Sequence, residues 1–171
     1  MSPVRWLSIA LFACVLAWLA LLESAARPHL GGWTPNLSLV AALAVLARAE
    51  DRDGWWLCAA LLWARGIVAA EPAAVVVAGT ACVAWGAFVA RGAFDLAGPA
   101  GRALAAALAS LWLGGLSALS HLAADDGSSG LAMAAGVDAL RSAVGSGLFA
   151  LLLGGLLQAL PGLGPLARRA A

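Results

Sequence analysis

Apolar residues in this chain collect into long unbroken blocks, and polar residues fall in short clusters between them. This pattern predicts membrane-spanning helices at 4–22, 33–48, 54–70, 72–90, 104–122 and 142–160. The first block has nineteen residues, about 28 Å of helix at 1.5 Å per residue, which is enough to cross a bilayer core. A cleaved signal peptide competes for that block, because Ser24, Ala25 and Ala26 form a small-residue site, but the run is longer than a signal core. The second block is the weak one. Its apolar core, 35–47, gives only about 20 Å and must borrow length from its flanks. Pro35 suits the first turn of a helix, and Trp33 suits an interface.

Only Glu71 separates the third and fourth blocks, which predicts a tight helical hairpin. A loop with Gly98, Pro99 and Gly101 precedes the fifth, and polar residues 125–130 follow it. The remaining apolar stretch, 131–160, is too long for one upright span and too short for two. It divides into an interfacial piece, 131–141, and a sixth span ended by Pro161, Gly162 and Pro165. No linker separates domains, so residues 1–171 form a single transmembrane domain.

Composition narrows the class. With 63% hydrophobic and 11% charged residues and a mean hydropathy of +0.94, the chain is an all-α integral membrane protein rather than a soluble globule. The net charge of +1 includes no basic patch able to neutralise several phosphates, so no nucleic-acid partner is implied. Cys14, Cys58 and Cys82 lie apart inside apolar runs and read as small hydrophobes.

All ten basic residues other than histidine are arginines. Leaving aside Arg65 and Arg141, which lie inside or beside spans, a six-span chain with both termini cytoplasmic puts Arg5, Arg48, Arg52, Arg91, Arg102, Arg168 and Arg169 inside, and only Arg27 outside. A five-span alternative, in which the second block does not cross, moves Arg27 inside and Arg5 outside and scores equally. Charge therefore fixes the sidedness from Arg48 onward and leaves the first two blocks open.

Candidate chemistry is sparse. Arg65 lies at membrane depth, six residues before Glu71. It reads either as a buried ligand- or partner-binding cation or as a side chain snorkelling toward Glu71 and the headgroups. Asp138 and Arg141 are one helical turn apart and suit a local ion pair better than a transport site. His121 with Asp125 would share a helix face, but loop polarity explains them more simply than a metal cluster does. No nucleophile motif, metal-ligand spacing or phosphate loop is present, so neither an enzyme nor a cofactor is expected.

Small residues recur at helical spacing in three stripes: Ala74, Ala78, Cys82, Gly86 and Ala90; Ser110, Gly114, Ser117 and His121; and Ser142, Ser146, Ala150, Gly154 and Gln158. Such faces allow close helix approach in lipid. Most are expected to pack within the bundle, leaving one stripe for a partner helix.

The order of parts resembles the rod shape-determining MreD family of small bacterial inner-membrane proteins. The resemblance rests on Pro35, Asn36 and Leu37 opening a short second run, the charged turn 48–53, and Gly66 near the end of the third span before a tight turn. It also rests on Arg141, Ser142 and Ser146 leading into a leucine-rich helix closed by proline and the basic Arg168 and Arg169. Arg65 and the direct Glu71–Pro72 junction depart from the family pattern. The resemblance implies a noncatalytic scaffold of the cell-shape and peptidoglycan elongation machinery in the bacterial inner membrane. Its implied partners are a bitopic MreC-like protein and, through it, a peptidoglycan synthase complex. The family layout is similar to that of the substrate-binding subunit of an energy-coupling-factor vitamin importer, which is the alternative. Ala13 and Ala17 supply the small-residue docking spacing such subunits use on their first helix. An importer subunit should gather polar side chains in the outer half of the bundle, with Arg65, Ser117, His121, Asp138 and Arg141 as the candidates.

Overall fold

The computed structural model describes residues 3–49, 51–68, 73–92, 94–96, 98–124 and 129–158. Among these residues there are six α-helices and no β-strand: α1 (Pro3–Leu30), α2 (Leu37–Leu46), α3 (Asp51–Val68), α4 (Ala73–Ala90), α5 (Pro99–Ala124) and α6 (Ser129–Gln158). A single 3-10 turn, Gly31–Trp33, joins α1 to the approach of α2. Four helices, α1, α4, α5 and α6, are long and apolar enough to cross a membrane. Large apolar side chains point outward along the bundle, among them Trp18, Trp63, Trp85, Trp112 and Leu152, the last 75% exposed. Such a surface is stable against lipid and not against water.

The shortest helix is the centre of the protein. α2 has ten residues, about 15 Å of helix, and every residue from Ser38 to Leu46 is buried. A helix that is apolar on all sides must be covered on all sides. Here α1, α3, α5 and α6 surround it and α4 touches it. Leu39, Val40 and Leu43 pack with Phe12 and Leu16 of α1, Leu57 and Leu61 of α3, Ala106 and Ala109 of α5, and Ala150 of α6.

α2 is short because the chain reaches its start through a 3-10 turn and a non-helical stretch, 34–36. Gly31, at φ +56°, adopts a conformation few other residues tolerate and opens the 3-10 turn, after which Thr34 is extended. Backbone of this kind survives in a membrane protein only where its polar groups are satisfied internally. Two serines of α6 supply the partners. The Ser142 hydroxyl donates to the Thr34 carbonyl at 3.0 Å, and the Asn36 amide donates to Ser146 Oγ at 2.9 Å. The Asn36 side chain also donates to Ser142 Oγ at 3.2 Å. Gly145 lets α6 come this close, because a Cβ there would lie 2.7 Å from the Trp33 carbonyl oxygen.

Several boundaries differ from the sequence reading. α1 continues past residue 22 to Leu30, carried by the i, i+4 pair of Glu23 and Arg27 and tolerating Pro28 in its last turn. The interfacial piece expected at 131–141 does not exist as a separate element. α6 runs unbroken from Ser129 to Gln158, since nothing at Arg141 interrupts its hydrogen bonding and Asp138 pairs with Arg141 along the helix. α5 begins at Pro99 rather than residue 104, with proline in the first turn where its missing N–H is no loss.

One end of the bundle holds Arg5, Arg91 and Arg102. Arg5 lies 3.5 Å from Asp53, and Trp6 meets Trp56 edge to face at 4.7 Å, joining the starts of α1 and α3. Arg91, near the end of α4, donates to the Ala49 carbonyl at 3.0 Å and the Leu46 carbonyl at 3.4 Å, just where the α2 dipole is negative. Its guanidinium also stacks 3.9 Å from the Phe88 ring centre. Arg102, at the start of α5, packs against Gly154 near the end of α6. Successive helices therefore run in alternating directions.

Candidate polar cavity and lateral groove

At the end opposite Arg5, Arg91 and Arg102, the bundle opens into two adjacent chambers with polar side chains in their walls. The inner one, about 170 Å³, lies among Glu23, Arg27, Ser38, Arg65, Thr80 and Ser117. The outer one, about 450 Å³, lies among Asn36, Arg65, Ser110, Ser117, His121 and Asp138. Arg27, Arg65, Leu113 and Ser117 line both, so the two are neighbours.

Each wall follows from local sequence. The extension of α1 beyond its apolar run carries Glu23 and Arg27 to the cavity, four residues apart and on one face. Their carboxylate and guanidinium lie 3.9 Å apart, with the Glu23 side chain 8% exposed and that of Arg27 62% exposed. Ser38 donates a long, 3.4 Å hydrogen bond to Glu23 from the first turn of α2. Arg65, in the last turn of α3, adds its charge to the field at Glu23. Gly114 brings α5 against the backbone and Cβ of Ala139 on α6, which sets the stripe Ser110, Ser117 and His121 beside Asp138.

Among the described residues, two buried hydroxyls have no partner. Thr80 Oγ1 and Ser110 Oγ are buried, in residues 0% and 1% exposed, and neither makes a hydrogen bond. Thr80 lines the inner chamber and Ser110 the outer.

Of the residues singled out from sequence, Arg65, Ser117, His121 and Asp138 share this cavity. Arg141 is 3.5 Å from Asp138, with both side chains about half exposed. Glu71, Asp125 and the basic Arg168 and Arg169 lie outside the described residues. Sequence reasoning missed Glu23, Arg27, Ser38 and Thr80. The i, i+4 charge pair and the isolated hydroxyls inside apolar runs were their signals. No group of three or more histidine, cysteine, aspartate or glutamate side chains placed to hold a metal occurs among the described residues.

The small-residue stripes have three different fates. On α6, Ser146, Ala150 and Gly154 are buried and Ser142 half-buried, all turned toward the bundle; Gln158 lies at the helix end. On α5, the stripe borders the cavity. On α4, Ala74, Ala78 and Cys82 are exposed, and Cys82, Gly86 and Ala90 line a lateral groove of about 850 Å³ whose other wall is α5. Leu43 of the central helix lies at its floor, and Trp85 and Trp112 stand at its edges. A Cβ added at Gly86 or Gly115 would meet nothing within 4 Å. No family model, curated protein or solved structure matches the chain.

Proposed function

We propose that the protein is a noncatalytic, MreD-like partner of other membrane proteins in the bacterial cell-shape and peptidoglycan elongation machinery. The observation that carries this reading is the lateral groove between α4 and α5. Along α5 it extends from Ala105 to Leu119, about 21 Å, which is most of a bilayer core and the dimension of a transmembrane helix. Open glycines and small residues on its α4 wall suit close helix approach. The occupant we assign is the single transmembrane helix of a bitopic, MreC-like protein.

A six-span layout with both termini cytoplasmic is part of the same proposal. Its support over five spans is the contact of Arg5 with Asp53, which puts the starts of α1 and α3 at one end of the bundle. The charge count then favours that end as cytoplasmic.

The test is pairwise expression of the tagged chain with a coiled-coil bitopic membrane protein from the same organism, followed by co-purification. Gly86→Trp and Gly115→Trp fill the groove and should abolish recovery of that partner while leaving the helical content and monomer size unchanged. Undiminished recovery from both variants, with lipid as the only groove occupant, refutes the assignment. The importer-subunit alternative is favoured by one separate observation, the polar cavity, and predicts recovery with an ATP-binding cassette module instead.

A further inference from the structure

We infer that the inner chamber binds a small uncharged molecule carrying several hydroxyl groups, a polyol or a monosaccharide. Either functional reading above is compatible with such a site, because it lies in the inner chamber and not in the groove.

Hydrogen-bonding capacity is left unfilled on two walls of this chamber. On α4, Thr80 Oγ1 belongs to a residue 0% exposed and has no hydrogen bond among the described residues. A hydroxyl both donates and accepts, and a buried polar group without a partner costs about 1–3 kcal/mol. On α1, the buried Glu23 carboxylate has about four acceptor positions. It meets the Ser38 hydroxyl at 3.4 Å and Arg27 at 3.9 Å, both longer than the about 2.7–2.9 Å of a full charge-assisted bond. Thr80 therefore offers a donor and an acceptor, and Glu23 keeps room to accept.

These groups favour a neutral guest over a charged one. An anion would sit beside the Glu23 carboxylate and a cation beside the Arg27 guanidinium, so either meets a like charge and also gives up its hydration. A guest hydroxyl can accept from Thr80 and donate to Glu23 without either cost. The charge of Arg65 does not select the guest, since that residue has a partner of its own. The rest of the wall is apolar, with Val75 and Val76 from α4 and Leu113 and Leu116 from α5. A carbon chain or ring that carries hydroxyls along one edge matches both kinds of wall. The volume of about 170 Å³ is several times the share of about 30 Å³ that a water takes in the liquid, which leaves room for such a molecule. Access is at the exposed Arg27, near the end of α1. The hydroxyls can belong to a free sugar or to the sugar headgroup of a neutral glycolipid at that membrane surface.

The full-length protein, purified in a polyoxyethylene detergent whose headgroup carries no sugar, tests this with two probes. Saturation-transfer NMR should show saturable binding of glucose. In nanodiscs of phosphatidylcholine holding a minority of monoglucosyldiacylglycerol, native mass spectrometry should find one glycolipid retained per chain. Either response supports the site, and the arm that responds identifies the source. Thr80→Val should weaken the responding probe about tenfold, whereas Thr80→Ser, which keeps the hydroxyl, should retain binding. Removing an unpartnered hydroxyl should leave the empty protein at least as stable as the parent, so that lost binding is not lost folding. Ser120→Ala, whose hydroxyl donates to the Ser117 carbonyl 2.8 Å away, should change nothing. The inference is overturned by no response to either probe, by equal binding in the parent and in folded Thr80→Val, or by saturable binding of inorganic phosphate or choline in place of glucose.

Discussion

Replacing Ser146 with alanine isolates the contact that holds the non-helical stretch 34–36 ahead of α2. The Ser146 hydroxyl oxygen accepts from the Asn36 amide at 2.9 Å, in residues 0% and 5% exposed. Water cannot replace it there, so the variant strands a buried N–H, a loss of about 1–3 kcal/mol. Two effects reduce this. Alanine is a better helix former than serine by about 0.5 kcal/mol, and single polar contacts inside membrane bundles average only about 0.6 kcal/mol. A net destabilisation of about 0.5–2 kcal/mol is expected. Reversible unfolding in mixed micelles with increasing dodecyl sulfate measures it, and the Asn36 amide should exchange faster with solvent. Ser8→Ala is the control, since that hydroxyl donates to the Val4 carbonyl one turn back on the same helix at 3.1 Å and its loss strands no donor. If Ser146→Ala matches the parent in stability and in Asn36 exchange, α6 does not hold this segment by hydrogen bonding and the account of α2 fails.

The bundle's inside and outside should respond oppositely to the same truncation. Leu39→Ala, at 0% exposure on the central helix, should cost on the order of 2 kcal/mol through the cavity left. Leu152→Ala, at 75% exposure, should be nearly neutral because lipid takes its place. Gly114→Val drives a side chain into Ala139 and should destabilise by about 1–3 kcal/mol, measured by the same unfolding assay. Arg91→Ala removes the donor to the Leu46 and Ala49 carbonyls and should lower stability by about 1–2 kcal/mol, whereas Arg48→Ala, on an exposed residue, should not.

The all-helical membrane character and the positions of the long helices could be read from sequence because lipid imposes one dominant requirement, an apolar run of sufficient length. Block boundaries were less legible. The apolar signal stops at residue 22, but the helix does not, because helical hydrogen bonding tolerates charge once Glu23 and Arg27 pair. The break expected at Arg141 rested on a length limit that a helix extending beyond the hydrocarbon does not obey. Within the cavity, Arg65, His121 and Asp138 attracted notice as charged or titratable groups at unusual depth. Thr80 and Ser38 did not, since one hydroxyl in an apolar helix is inconspicuous until its surroundings are known.

By itself, then, the sequence determined that this chain has membrane-protein character and which segments are helical cores. These are properties of composition and one-dimensional pattern, and they require no knowledge of neighbours. Tertiary structure alone decided that the weakest apolar run is the buried centre. It also decided that Ser142 and Ser146 serve a backbone rather than a helix face, and that charges from α1, α3 and α6 meet in one cavity. Each of those outcomes depends on contacts between segments many residues apart, such as the hydrogen bond from Asn36 to Ser146, and linear spacing carries no record of them.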